Sequence, residues 1–333
     1  MNPVFDFLNN KSILITGGTG SFGQRCVRRL LEQSQAKRII VFSRDELKQS
    51  EMKAQISDPE KRLRFFIGDV RDFERLKTAF NGVDFIIHAA ALKQVPALEY
   101  NPFEAIKTNI LGTQNVVSAS VENKVERVLL ISTDKAANPA NLYGATKLCA
   151  EKLMISANAY AVGRPTLSVV RYGNVFGSRG SLVSLIKQQK GSGEITLTHE
   201  MMTRFWMTLD QGVAFVLGML GKMRGGEIFV PKIPSMKVKD MITHLAPECS
   251  LKIIGIRPGE KLHEVLITPE EARHTQEFDD HFVVLPLHDW WDAEAYSEGR
   301  PLPERFYFGS ETNTQWLDRE TLMRFVDGFH ETE

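Results

Sequence analysis

The sequence predicts an α/β protein, with a doubly wound parallel sheet over residues 1–172 and a smaller C-terminal α/β lobe over residues 173–333. Three observations predict it. Six short apolar runs recur at intervals across the first half of the chain. Helical patterns fill the gaps between them. Beyond Tyr172 the alternation weakens and glycines, prolines and short apolar stretches take over.

Each element has its own signal. Ser12 to Thr16 (SILIT) is an apolar run ending in glycines, which reads as a buried strand, and Phe22 to Leu31 follows as a helix. Arg38 to Phe42 (RIIVF) and Leu63 to Gly68 (LRFFIG) read as the second and third buried strands, and Phe85 to Ala89 (FIIHA) as the fourth. Val128 to Ser132 and Leu167 to Arg171 complete the set, with helical patterns over Phe103 to Ala119 and Tyr143 to Ala159. Strands alternating with helices require right-handed crossovers and a parallel sheet. The second half is expected to pack on the carboxyl edge of that sheet, from which the chain can return to the main sheet.

Composition narrows the function classes. Lys plus Arg and Asp plus Glu both number 41, so nucleic-acid binding has no electrostatic footprint. Cys26, Cys149 and Cys249 are widely spaced and form no CxxC pair, which reads as free thiols and leaves no metal site. The stretch from Met1 to Lys11 lacks a basic patch followed by an apolar run. The longest apolar candidate, Val213 to Leu220, is far shorter than the roughly 20 residues that span a bilayer. A cytoplasmic location with no membrane partner is the expectation.

The first chemistry-bearing motif follows the first strand: Gly17-Gly18-Thr19-Gly20-Ser21-Phe22-Gly23, opening a helix. Glycines there allow a tight turn and a close approach to a pyrophosphate, and the helix N-terminus supplies free N–H groups. This is a nicotinamide-dinucleotide loop. Its GxxGxxG spacing resembles the extended short-chain dehydrogenase/reductases, a Rossmann-type fold. At the end of the second strand stand Ser43, Arg44, Asp45, Glu46 and Lys48. Arg44 and Lys48 sit where a 2′-phosphate would lie, so NADP is expected over NAD, although Asp45 and Glu46 argue the other way. Asp69 and Val70 are expected at the adenine, and Ala89 and Ala90 where the cofactor backbone passes.

The second motif is reactive. Thr133 closes the fifth strand, and Tyr143 and Lys147 lie four apart on one helical face. Lys147 is expected to lower the tyrosine pKa and hold the ribose, so that a tyrosinate removes a sugar hydroxyl proton during hydride transfer. Asp134 and Lys135 occupy the short loop between. An oxidoreductase or epimerase has no use for that extra pair, whereas an elimination needs it. Oxidising C4 of a hexose acidifies the C5 hydrogen, after which a base takes that proton and an acid protonates the departing C6 hydroxyl.

Longer motifs extend the match: SRDELKQSE from Ser43, Ala90 to Lys93, STDKAANPANLYGATK from Ser132, Arg171 to Val175, Gly177 to Ser181, Met202 to Phe205, and RPGEKLHE from Arg257 to Glu264. Together they resemble the inverting UDP-N-acetylglucosamine 4,6-dehydratases, most closely the soluble members that begin pseudaminic acid biosynthesis for flagellin or surface polysaccharide. The resemblance implies tightly held NADP, recycled within each turnover, UDP-N-acetylglucosamine as substrate, inversion at C5 and a hexamer. It also implies Tyr143 as the C4 base, Lys135 as the C5 base and Asp134 as the acid at C6. A lysine base needs its ordinary pKa near 10.4 depressed, and Lys147 and the nicotinamide ring are the expected cause.

For the nucleotide sugar, Arg179, Arg204 and Arg257 are expected at the pyrophosphate, Asn174 at the sugar or its phosphate, and Glu260 at the uridine ribose. Lys93 is expected to reach both cofactor and sugar. Ser181 and Thr203 are further substrate candidates in matched motifs. His88 and His263 read as hydrogen-bonded structural residues, and Trp290-Trp291 as lobe packing or an oligomer contact. A UDP-sugar 4-epimerase and a non-catalytic NADP-binding regulator are the competing readings.

Overall fold

Six parallel strands carry the N-terminal half of the computed structural model, which describes residues 3–161, 163–178, 181–288, 291 and 296–330. They are β1 (Ser12–Thr16), β2 (Arg38–Ser43), β3 (Leu63–Ile67), β4 (Phe85–His88), β5 (Arg127–Thr133) and β6 (Thr166–Tyr172). Between them run α1 (Ser21–Gln33), α2 (Glu46–Gln55), α3 (Phe73–Phe80), α4 (Val95–Tyr100), α5 (Pro102–Ala105), α6 (Gly112–Glu122) and α7 (Leu142–Ser156). The sheet order is β3-β2-β1-β4-β5-β6, so the winding reverses between β1 and β4. In such a sheet the ligand crevice opens at the carboxyl ends of the two strands flanking the reversal. Here those ends are the glycine loop and the segment after His88. Helices α3, α6 and α7 pack on one another, and α1 packs on α9 (Leu209–Lys222). The core between them is continuous, from Ile13, Leu14 and Ile15 on β1 to Val169 and Val170 on β6.

Two elements differ from expectation. β3 is not buried but forms the edge of the sheet, paired on one side only, and Ile67 is 46% exposed. Its apolar run is covered instead by Arg75, whose guanidinium lies 4.0 Å over the Phe66 ring. The helix expected over Phe103 to Ala119 is interrupted. Residues Ile106–Leu111 form a π-helical turn between α5 and α6. Such insertions cluster at functional sites because the extra residue re-aims side chains.

The C-terminal half both builds a lobe and completes the sheet. β7 (Asn174–Val175), α8 (Leu182–Gln189), β8 (Glu194–Leu197) and β9 (Thr203–Met207) precede α9. After α9, β10 (Ile228–Pro231) returns to lie parallel beside β6. β11 (Ser235–Lys237), α10 (Val238–Leu245) and β12 (Ser250–Ile253) go back to the lobe. β13 (Val265–Ile267) and α11 (Pro269–Ala272) lead to β14 (Thr275–Glu277), β15 (His281–Val284) and β16 (Arg300–Pro301), which extend the main sheet antiparallel beyond β10. β17 (Phe308–Gly309) pairs with β13, and α12 (Arg319–His330) follows.

The lobe has its own apolar core of Phe176, Val183, Ile195, Trp206, Met236, Met241, Ile242 and Leu322. The apolar stretch Val213 to Leu220 lies in α9 with Val213, Val216, Leu217 and Leu220 buried. Among the described residues no helix is long and apolar enough to cross a membrane. Trp291 packs against the main core, while Trp290 lies outside the described residues.

Candidate active site

A cleft of about 620 Å³ runs along the carboxyl ends of β1, β2, β4 and β5. It is lined by Gly17, Thr19, Gly20, Ser21, Phe22 and Gly23, then by Ser43, Arg44, Asp45, Lys48, Asp69 and Val70. Ala89, Ala90, Lys93, Thr133, Lys135, Tyr143, Lys147, Asn174 and Ser181 line the rest. One groove therefore gathers most of the residues that the sequence singled out.

The glycine loop is shaped for a ligand that comes close to backbone. Gly17 has φ +65°, and a Cβ there would stand 2.9 Å from the Ala90 Cα on the neighbouring loop. A Cβ on Gly23 would collide with the Gly18 backbone. Gly20 is the N-cap of α1 and has no side chain to stand in the way, and the first turn of that helix, Ser21 to Gly23, lines the cleft. These features fit the pyrophosphate of a dinucleotide. Around the far end, Arg44 lies 3.5 Å from the Asp69 carboxylate and Lys48 2.8 Å from that of Asp45. Burial raises the Asp69 carboxyl, but Arg71 and Arg44 outweigh it and hold it below the usual range. Ser43 accepts from the Gln49 amide at 3.0 Å. Glu46 stands on α2 and does not line the cleft.

Behind the groove lies a polar relay that the sequence did not reveal. Asn109, in the π-helical turn, accepts from the Leu92 N–H at 2.8 Å and donates to the Leu92 carbonyl at 2.9 Å and to Thr146 Oγ1 at 3.0 Å. It ties the loop after β4 to the helix bearing Tyr143 and Lys147. An asparagine inside an apolar helical pattern was the available signal. His88 is held between Thr16 (2.7 Å) and Thr113 (3.1 Å), and burial, with Lys147 nearby, pushes its pKa down to about 3. His263 shares a 2.8 Å hydrogen bond with Thr203.

The reactive side chains cluster where β5 meets α7. Asn141 caps α7 by accepting from the Gly144 N–H at 2.8 Å, which fixes the helix start and so aims Tyr143 and Lys147 into the cleft. Burial pushes the Tyr143 phenol up to about 12, opposed by the Lys135 charge and by a hydrogen bond with Thr133. Lys135 is thus a cation acting on Tyr143, which the sequence did not indicate. Burial lowers Lys147 itself to about 8.

Lys135 Nζ donates to Asp134 Oδ1 at 2.9 Å and lies 3.4 Å from Glu264 Oε1. Burial disfavours the ammonium, but the two carboxylates more than offset it and raise the pKa above the ordinary value. The expected depression is therefore absent, because the two anions outweigh burial and the Arg204 charge together. Asp134 is fully buried and does not line the cleft; Thr133, which does, donates to Asp134 Oδ1 at 2.8 Å. Burial, with Lys135 nearby, lowers the pKa of Lys93.

The expected nucleotide-sugar residues are divided. Asn174 and Ser181 line the cleft, and Ser181 Oγ is buried without a partner. Thr203 and Arg204 are buried away from it: Arg204 donates to the carbonyls of Thr203 (2.7 Å), Lys261 (3.0 Å) and Leu262 (3.1 Å). Arg257 is exposed and Glu260 half-buried, and neither lines the cleft. Arg179 lies outside the described residues. Among the described residues no group of three or more His, Cys, Asp or Glu side chains could hold a metal ion.

This fold and this site define an extended short-chain dehydrogenase/reductase. Residues 13–286 match the model of a family described as polysaccharide biosynthesis protein. The inverting UDP-N-acetylglucosamine 4,6-dehydratase of Campylobacter jejuni is 49% identical over 96% of this chain and 98% of its own. A UDP-glucose 4-epimerase of Rickettsia canadensis is 43% identical over 95% of each chain. The solved structure of Pen from Bacillus thuringiensis is 34% identical and superposes with a TM-score of 0.88 over 97% of this chain and 99% of its own. The chain belongs to the polysaccharide biosynthesis family and, within it, to the inverting UDP-N-acetylglucosamine 4,6-dehydratases.

Proposed function

We propose that this enzyme is an NADP-dependent hydro-lyase that removes water from UDP-N-acetylglucosamine across C5 and C6 with inversion at C5. The observation that carries the reading is Lys135 in the cleft beside Tyr143 and Lys147, backed by buried Asp134. An epimerase needs Thr133, Tyr143 and Lys147 alone.

When bound, a nicotinamide would supply reversible hydride transfer, from C4 and back to C6. The glycine loop, the first turn of α1, Arg44 and Lys48 hold the cofactor, and Lys147 its ribose. Tyr143 takes the C4 hydroxyl proton, with the Lys135 charge favouring the phenolate. Lys135 starts as an ammonium and passes a proton to Asp134 along their existing hydrogen bond. The free amine then takes the C5 proton. The Asp134 proton moves through the Thr133 hydroxyl to the C6 oxygen, which leaves as water, and the pair returns to its starting charges. C5 then takes from Tyr143, on the face opposite the one it was deprotonated from, the proton that came from the C4 hydroxyl, which inverts C5 and restores the phenolate. Lys93, Asn174 and Ser181 hold the sugar and its phosphates, and Arg179, Arg257 and Glu260 are the remaining candidates for the nucleotide. The reaction opens pseudaminic acid biosynthesis for flagellin or surface polysaccharide, and the assembly is a homo-hexamer in the cytoplasm.

Incubation with UDP-N-acetylglucosamine and mass spectrometry tests the reading. Loss of one water is expected; a new stereoisomer of unchanged mass would make the protein an epimerase, and no reaction a regulator. Lys135→Ala should abolish deuterium uptake at C5 in deuterated water.

A further inference from the structure

Glu264 is buried behind the cleft, in contact with Lys135, with no role assigned to it so far. It is 3% exposed and comes from the lobe, just before β13. Its backbone is pinned on both sides: its N–H donates to Ser310 Oγ at 2.9 Å, and its carbonyl accepts from the Ser310 N–H at 2.8 Å. The carboxylate is thereby fixed 3.4 Å from Lys135 Nζ, 3.8 Å from Arg204 Nε and 3.6 Å from Lys261 Nζ.

Such a group is expensive to bury. Its Oε2 has no hydrogen-bond partner, nor have Asp134 Oδ2 and Glu260 Oε2 in the same cluster. Orphaned buried oxygens destabilise a fold, and an apolar or amide side chain would serve packing better. What a negative charge alone provides at this position is a second grip on the lysine. Asp134, next in sequence to Lys135, holds the amine from behind; Glu264 holds it from a different part of the chain.

We infer that Glu264 is a positioning residue that shares Lys135 with Asp134 and sets the pH range in which the lysine exchanges its proton. The inference rests on the reading of Lys135 as the proton-handling group of the elimination. The other charged and titratable groups facing the amine are Arg204, Lys93, Tyr143 and Lys261. Their net positive charge opposes the two carboxylates. Removing Glu264 therefore lowers the proton affinity of Lys135, whereas removing Lys261 raises it.

The test follows C4 oxidation and water loss separately, in single turnovers across pH 6 to 12. Nicotinamide absorbance reports the first and product mass the second. In Glu264→Gln the limb of the elimination profile set by Lys135 should move to lower pH by ~1 unit, the size expected for losing one charge at this distance. Above the wild-type inflection, elimination at a given pH should fall about tenfold while C4 oxidation changes far less. Glu264→Asp should bring the limb back towards wild type. Lys261→Met, which keeps Glu264, should move it to higher pH and provides the same comparison if Glu264→Gln does not fold.

Superimposable limbs, shifts of the same sign in Glu264→Gln and Lys261→Met, or an equal loss of both steps at unchanged profile would overturn the inference. Wild-type protein that releases no water would instead refute the dehydratase reading. Dehydration with an unshifted limb in Glu264→Gln refutes the role of Glu264 alone.

Discussion

Arg171 offers the sharpest test of how this site is held in place. The side chain is fully buried on β6 and makes five charge-assisted hydrogen bonds. Nε and Nη2 donate to Glu151 at 3.0 and 2.6 Å; Nη1 and Nη2 donate to Glu271 at 2.9 and 2.8 Å; Nη1 also donates to the Leu266 carbonyl at 2.9 Å. Arg171→Met would leave Glu151, on α7 and fully buried, with Ser132 Oγ at 2.5 Å as its remaining hydrogen bond. Stranding one partner of a buried ion pair costs roughly 3–5 kcal/mol. Glu271 is less exposed to this loss, because its side-chain oxygen also accepts from the Thr268 N–H at the start of α11. The expected loss is therefore about 4 kcal/mol, read as a shift in the urea midpoint at constant slope. Adding Glu151→Gln should recover about half of it, since the stranded charge is the main penalty. A single variant within about 1 kcal/mol of wild type, or a double variant no better than the single, would show that the charges are not coupled as the geometry indicates.

Three further outcomes are expected. Arg44→Ala should cut the preference for NADP over NAD by at least about tenfold in binding titrations, since it removes a candidate 2′-phosphate partner; an unchanged preference refutes the NADP assignment. Tyr143→Phe should slow single-turnover cofactor reduction by roughly 10²–10⁴-fold while cofactor binding persists. His88, pushed down to about 3 in the fold, binds fewer protons there than in the unfolded chain between that pH and about 6.5. Its contribution is thus intact above pH 6.5 and lost progressively below it, so His88→Asn should flatten the fall in urea midpoint between pH 7.5 and pH 5.

The parts of the fold legible in the sequence were those with local causes. Apolar runs such as SILIT and RIIVF and the glycine spacing specify strands and a turn without reference to the rest of the chain. The edge position of β3 was not legible, because LRFFI is as apolar as a buried strand and only its neighbours decide its exposure. The π-helical turn was hidden because an inserted residue leaves apolar spacing almost unchanged. In the site, Tyr143 and Lys147 could be placed from helical geometry alone. The charge state of Lys135 could not, since it depends on Glu264, more than a hundred residues away in sequence. Arg204 was misjudged for the same reason: an arginine in a matched motif says nothing about the three carbonyls that claim it.

The return of β10 and β14–β16 to the main sheet has a consequence for how such enzymes can diverge. Glu264 touches Lys135 and Glu271 grips Arg171 on β6, and the same stretch of chain then enters the sheet as β14. A recombination event that exchanged everything after Tyr172 for the equivalent half of a relative would replace both carboxylates and four strands of the main sheet at once. New sugar specificities in this architecture should therefore arise by substitution within lobe loops, and chimeras joined at that point should fail to fold unless both parents share the Arg171 and Lys135 contacts.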